Sequence, residues 1–422
     1  MKLRGLFILF TSLSLSACNS DEVPVRPNGR SLIIHEPSEA IKPFPQAQTF
    51  VNSIKPNNLS QEELNNDVVN YYQYWLKKYM RESNGQTPGG GYYVRMKGTG
   101  GDGSEITTSE AHGYGMIVLA LMAGYDVNAK KYFDGMLNMC YQHYSSGNSK
   151  CMSWVIHESE ESQYRQASAT DGDMDIAYAL LLADKQWGSD GAINYLQMAK
   201  DVIAGLRESC LSSSSKRMLL GDWDSDPYTT RSSDWMTGHM RCFYAITGDE
   251  LWLEAIDEVY LMIDELTDKY SPQTGLMPDF VVGKTPQPAP EYFLDEYKQT
   301  NHYSWNACRY PWRISADYLH FGGSDAKRAM TTLTDFFVDA SGGHPANIKM
   351  GYYLNGKPMD NYSSAAFIAP VITASTTDVK YQAYLNEGWD WLNRFVNETY
   401  YSDTITLLNM LLISGNWWNP AE

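Results

Sequence analysis

TTSEAHGYGMIVLALMAGYD, residues 107–126, turns within a few residues from a polar loop into an uninterrupted apolar run. Thr108 or Ser109 supplies a helix N-cap, and Glu110 in the first turn suits the positive end of a helix. From Met116 to Met122 no side chain is polar. A helix of that composition has no face for water and is buried on both sides. Five more stretches share the pattern of a polar start followed by an apolar body: 170–188, 232–249, 303–323, 362–375 and 401–415. Pro370 makes the fifth of the six the least regular.

Between them lie six amphipathic segments with one charged face: 61–80, 129–144, 192–210, 250–266, 326–340 and 380–396. In the third of these, Leu196, Ala199, Val202, Ile203 and Leu206 fall on one stripe of period 3.6. The two classes alternate, six of each, and no comparable run of strands appears. Twelve helices in alternating outer and inner positions predict an all-α fold, an (α/α)6 barrel. Parallel inner helices bring their N-terminal ends to one rim. That rim is expected to gather Glu110, Asp171, Asp173, Asp234 and Arg309, so Glu110 faces a shared cleft as well as capping a helix.

Composition narrows the function. The 422 residues include 50 acidic and 33 basic side chains, a formal charge of −17. Nothing resembles the basic stripe of a nucleic-acid binder. Aromatics reach 13%, with 30 Tyr and 12 Trp, enough to pack a core and also to line a groove with flat apolar faces. Asp171, Asp173 and Asp175 crowd one helix start. A calcium loop of the D-x-D-x-D type needs Gly at the sixth place and Glu at the twelfth. Ile176 stands at the sixth, and Pro227 breaks the similar run at 222–227. No Cys or His spacing suggests zinc, and no metal or cofactor is expected.

The stretch 167–188 resembles the signature of glycoside hydrolase family 8, carried by Ala169-Thr170-Asp171-Gly172-Asp173, Ile176-Ala177 and Trp187. SEAHGYGM at 109–116 resembles that family's Ser-Glu-Gly-x-x-Tyr-Gly-Met segment, with Ala111 where Gly is usual. CMSWVI and NACRYPWRI resemble two further blocks, and the likeness runs from about residue 65 to the end. It implies an (α/α)6 barrel and inverting hydrolysis of β-linked polysaccharides. On that resemblance Glu110 is the general acid, and Asp171 holds the sugar at the cleavage point. Arg309 lies beside that carboxylate, and Trp154 is a sugar platform. Tyr114, Asp173, Asn306 and Trp235 complete the expected substrate-binding set. One branch of the family carries Asp in a Tyr-Asp-Ala-x-Arg segment, where this chain has Asn306, which takes no proton at neutral pH. A second branch, with chitosanases and lichenases, draws its base from a longer upstream loop. Phe293-Leu294-Asp295 resembles that branch's Phe-Leu-Glu, so Asp295 and then Glu296 are the base candidates, with Glu291 third. β-1,4-Glucan or mixed-linkage β-glucan is the expected polymer. Chitosan, xylan and a non-catalytic glycan-binding barrel are the alternatives.

Residues 1–17 read as an export signal: Lys2 and Arg4, an apolar stretch, then small residues. Leu15-Ser16-Ala17-Cys18 resembles the bacterial lipobox, which implies cleavage before Cys18, lipid attachment to it and anchoring at the cell envelope. Residues 18–55 read as a tether and arm, and 56–422 as the catalytic domain. Five cysteines remain, an odd number that is no disulfide framework; Cys140 and Cys151 are the pair that an oxidising compartment could join.

Overall fold

The computed structural model describes residues 39–51, 53–83, 87, 89–96, 105–157, 166–295, 297–394 and 397–422, with only the backbone of Asp295. Among them are twelve α-helices: α1 Gln61–Tyr79, α2 Ser109–Met122, α3 Ala129–Gln142, α4 Thr170–Trp187, α5 Tyr195–Ser209, α6 Thr237–Thr247, α7 Leu251–Tyr270, α8 Tyr310–Phe321, α9 Ser324–Ala340, α10 Ala365–Ala374, α11 Gln382–Leu392 and α12 Tyr400–Ile413. Each coincides with one of the twelve segments above. The even-numbered helices close a ring in the order α2, α4, α6, α8, α10, α12 and back to α2. The odd-numbered helices pack outside it, α3 on α2, α5 on α4, α7 on α6, α9 on α8, α11 on α10 and α1 on α12. This is the (α/α)6 barrel.

Burial follows the two compositional classes. Every residue of α10 and α12 is buried, and in α2 every residue except Glu110. The outer α5 buries only Tyr195, Ala199, Ile203, Gly205 and Leu206, one stripe. Pro370 sits inside α10 without ending it.

The closest inner contact is between α2 and α4, and glycine makes it possible. A methyl group at Gly113 would collide with the Asp175 Cβ, and one at Gly172 with the Ser109 side chain and backbone. The arm before α1 crosses the opposite end of the barrel. The Ile41, Phe44, Gln48 and Ile54 amides donate to the carbonyls of Gln186, Ala123, Gly415 and Thr376, all near C-terminal ends of inner helices (2.7–2.9 Å). At the N-terminal rim, strand Glu105–Thr108 pairs antiparallel with Val155–His157. Residues 1–38, including Cys18, lie outside the described residues.

Candidate active site

Glu110 reaches the rim because α2 starts there. Thr108 is the N-cap, its hydroxyl accepting from the Ala111 amide at 3.2 Å. The Ser109 amide donates to the Trp154 carbonyl at 2.9 Å, which ties the start of α2 to the residue just before strand Val155–His157. The Glu110 carboxyl meets two donors: Tyr400 OH on Oε1 at 2.7 Å, and Arg309 Nη1 on Oε2 at 2.6 Å. The same Nη1 donates to Asp171 Oδ2 at 2.8 Å and lies 3.3 Å from Tyr114 OH. Arg309 Nη2 donates to Asn306 Oδ1 at 2.9 Å. One guanidinium therefore joins Glu110, Asp171, Tyr114 and Asn306, four residues predicted from sequence.

The two acids respond differently to burial. For Asp171 burial favours the neutral form, but the guanidiniums of Arg231 and Arg309 and the Gly172 amide together hold it well below the usual carboxylate range. For Glu110 burial again raises the pKa, Arg309 opposes, the charge of Asp171 adds to the rise, and the balance stays above the ordinary value. A positive helix end by itself stabilises a carboxylate. Desolvation overrides it here, leaving one carboxyl disposed to keep a proton beside another that stays ionised.

Asp173 and Trp235 fall elsewhere. Asp173 is on the same helix as Asp171 but points outward. Its Oδ1 accepts from the Met152 amide at 2.8 Å, and it lines a cavity of about 500 Å³ between α3 and α5. Burial pushes its carboxyl well above the usual carboxylate range. Trp235 is fully buried, with its ring edge against Tyr310 and its Nε1 3.3 Å from Thr230 Oγ1, so it offers no face to a sugar. Asp295 ends the short turn Phe293–Asp295, and Glu296 lies outside the described residues. The loop carrying them adjoins the cluster, since Tyr297 OH accepts from Asn306 Nδ2 at 3.1 Å and donates to Asp279. Glu291 is exposed beside Lys298, 3.9 Å away. Trp154 is only partly buried, directly before the rim strand Val155–His157.

Sequence reasoning missed Tyr400, Arg231 and Tyr297. Arg231 donates through Nη2 to Asp171 Oδ1 at 3.2 Å and through Nε to Asp234 at 3.2 Å. A second tier lies one turn deeper, where Arg313 grips Asp175 at 2.8 and 2.5 Å and His239 Nε2 lies 2.9 Å from the same carboxylate. The described cysteines are all unbridged and buried, and Cys151 lies within hydrogen-bond reach of Cys210. No group of metal-ligating side chains occurs among the described residues.

Two carboxyls on one arginine, one pushed up and one held down, at the N-terminal rim of a helical barrel, match the pair of carboxyl groups that glycoside hydrolysis uses. Residues 59–415 match the model of Glycosyl hydrolases family 8, and the chain belongs to that family. An endoglucanase of Bacillus sp. (strain KSM-330) is 45% identical over 387 residues, 91% of this chain and 83% of that protein. A beta-glucanase of Niallia circulans is 44% identical over 384 residues, 89% and 91% of the two chains. The apo structure of a beta-1,3-1,4-glucanase from Paenibacillus sp. X4 superposes with a TM-score of 0.85 at 43% identity, covering 90% of this chain and 99% of that one.

Proposed function

We propose that the chain cleaves internal bonds of a β-1,4-glucan or mixed-linkage β-glucan with inversion at the anomeric carbon. The observation that carries this reading is Glu110: it is the one residue of α2 that is not buried, and its carboxyl shares Arg309 with Asp171. Glu110 protonates the glycosidic oxygen as the bond lengthens. Asp171, ionised between two guanidiniums, offsets the positive charge that develops on the sugar ring. Trp154 supplies an apolar face for a pyranose. An inverting enzyme also needs a base on the opposite face of the ring, with the two carboxyls roughly 6.5–9.5 Å apart so that a water fits between. Asn306 occupies the place beside Arg309 and cannot serve. We assign the base to the loop above it, Asp295 first and Glu296 second. The names of the relatives above, endoglucanase, beta-glucanase and beta-1,3-1,4-glucanase, support a β-glucan as substrate.

The test is reducing-end release from barley β-glucan, carboxymethyl cellulose, chitosan and xylan, with Glu110→Gln alongside. Turnover is expected on the β-glucans and a fall of about 10²–10⁴-fold in the variant, the usual contribution of a general acid. Asp295→Asn combined with Glu296→Gln is expected to lose a similar factor, and unchanged turnover would remove both as base. Activity on chitosan or xylan alone would overturn the substrate. Silence on every polymer from a folded protein would favour a binding barrel. We further propose that the chain is exported and lipid-anchored through Cys18, which metabolic labelling with a fatty acid tests, Cys18→Ser being expected to abolish the label.

A further inference from the structure

Asp234 has no role in the scheme above, yet it is joined to it. It closes the short turn Ser232–Asp234, is fully buried, and accepts from Arg231 Nε (3.2 and 3.4 Å) and the Ser233 hydroxyl (3.0 Å). The same guanidinium donates to Asp171. One arginine thus serves Asp234 and Asp171, and the other serves Asp171 and Glu110. The described members of this cluster are three carboxyls against two guanidiniums. Were all three ionised, the cluster would carry an unmatched buried charge, which is expensive. One proton removes it. Asp171 does not hold that proton, because the two guanidiniums outweigh its burial. The remaining seats are Glu110 and Asp234.

We propose that Asp234 is a positioning residue: ionised beside Arg231, it leaves the cluster one cation short and thereby holds the reactive proton on Glu110. The proposal rests on the reading of Glu110 as the general acid. Burial raises the Asp234 carboxyl to about 6, with Arg231 opposing and Asp171 adding to the rise; its two contacts from Arg231 Nε and the Ser233 hydroxyl favour the ionised form, whereas Glu110 shares Arg309 Nη1 with Asp171 and Tyr114. The neighbouring groups leave this balance standing. Asp175 is matched by Arg313, and burial keeps His239 and His112 neutral. Burial likewise pushes Asp173, Tyr114, Tyr400 and Tyr401 up, toward their neutral forms. Asp279, which accepts from the Ser304 and Ala307 amides, adds to the acidic side when ionised. The loop acids Asp295 and Glu296 stand outside the count.

The sign follows from the charges. Asp234→Asn removes a negative charge and leaves Arg231 wholly to Asp171; both effects lower the Glu110 pKa. Arg231→Gln removes a positive charge and raises it. The alkaline limb of kcat/KM reports loss of the acid's proton. It is therefore expected to move to lower pH in Asp234→Asn and to higher pH in Arg231→Gln. Each shift is about one unit, the order expected for one buried charge in a shared cluster. The experiment is the pH profile of kcat/KM on barley β-glucan for both variants and the wild type, beside Glu110→Gln. A purely structural role would lower activity without moving the limb. Limbs that stay still, or move the same way, overturn the proposal while an inert Glu110→Gln leaves the general acid standing. Undiminished turnover in Glu110→Gln overturns the general acid itself. Should Asp234→Asn not fold, carboxyl carbon NMR of the wild type decides: Asp234 ionising at lower pH than Glu110 supports the proposal, and the reverse order overturns it.

Discussion

At the scale of the residue, Arg309 is the hub. Its Nη1 lies within hydrogen-bond reach of Glu110 Oε2, Asp171 Oδ2 and Tyr114 OH, while Nη2 takes Asn306. A planar fork makes those contacts together; an ammonium is a point charge and does not. Arg309→Lys is therefore expected to keep the fold and to lower kcat by about 10²-fold, as when a preorganised donor is removed. Steady-state kinetics on barley β-glucan check this, and near-normal turnover would deny the hub its part. Glu110, Asp171 and Arg309 were legible in the sequence because each stands where a polar loop becomes a buried helix. Asp173 and Trp235 were misplaced by reading position without direction. Successive helical residues turn by about 100°, so Asp173 faces away from Asp171 while Asp175 returns to its side one turn deeper. Tyr400 was hidden among 30 tyrosines. Its only signal was its place at the start of α12, where the other inner helices carry their rim residues.

At the scale of the element, the twelve helices could be read because two burial regimes leave two compositions, one apolar throughout and one striped. The short strands at the rim and the arm were not readable as such, being too brief for a period to show. Close packing of α2 on α4 is what sets Glu110 beside Asp171, and it depends on Gly113 and Gly172. Gly172→Ala presses a methyl group against Ser109, at the start of the helix bearing Glu110. Overpacking of this kind costs about 1–3 kcal/mol. The expected outcome is a lower thermal midpoint together with a kcat loss, because the strain falls on the acid's own helix turn. Calorimetry and kinetics on one preparation would show whether the two move together.

At the scale of the whole molecule, the barrel separates its ends. The N-terminal rim holds the charge cluster, and the C-terminal rim is crossed by the arm, with Phe44 buried there. Phe44→Ala is expected to cost about 3 kcal/mol and to lower the thermal midpoint, while kcat/KM on β-glucan stays unchanged. Loss of activity in a folded Phe44→Ala protein would show that the two ends are coupled. The central claim is inversion driven by a proton from Glu110, and stereochemistry tests it most directly. Proton NMR of the first products released from a β-glucan oligosaccharide should show the α-anomer before mutarotation, and Glu110→Gln should release almost none. The β-anomer appearing first, or undiminished release by the variant, would contradict the account.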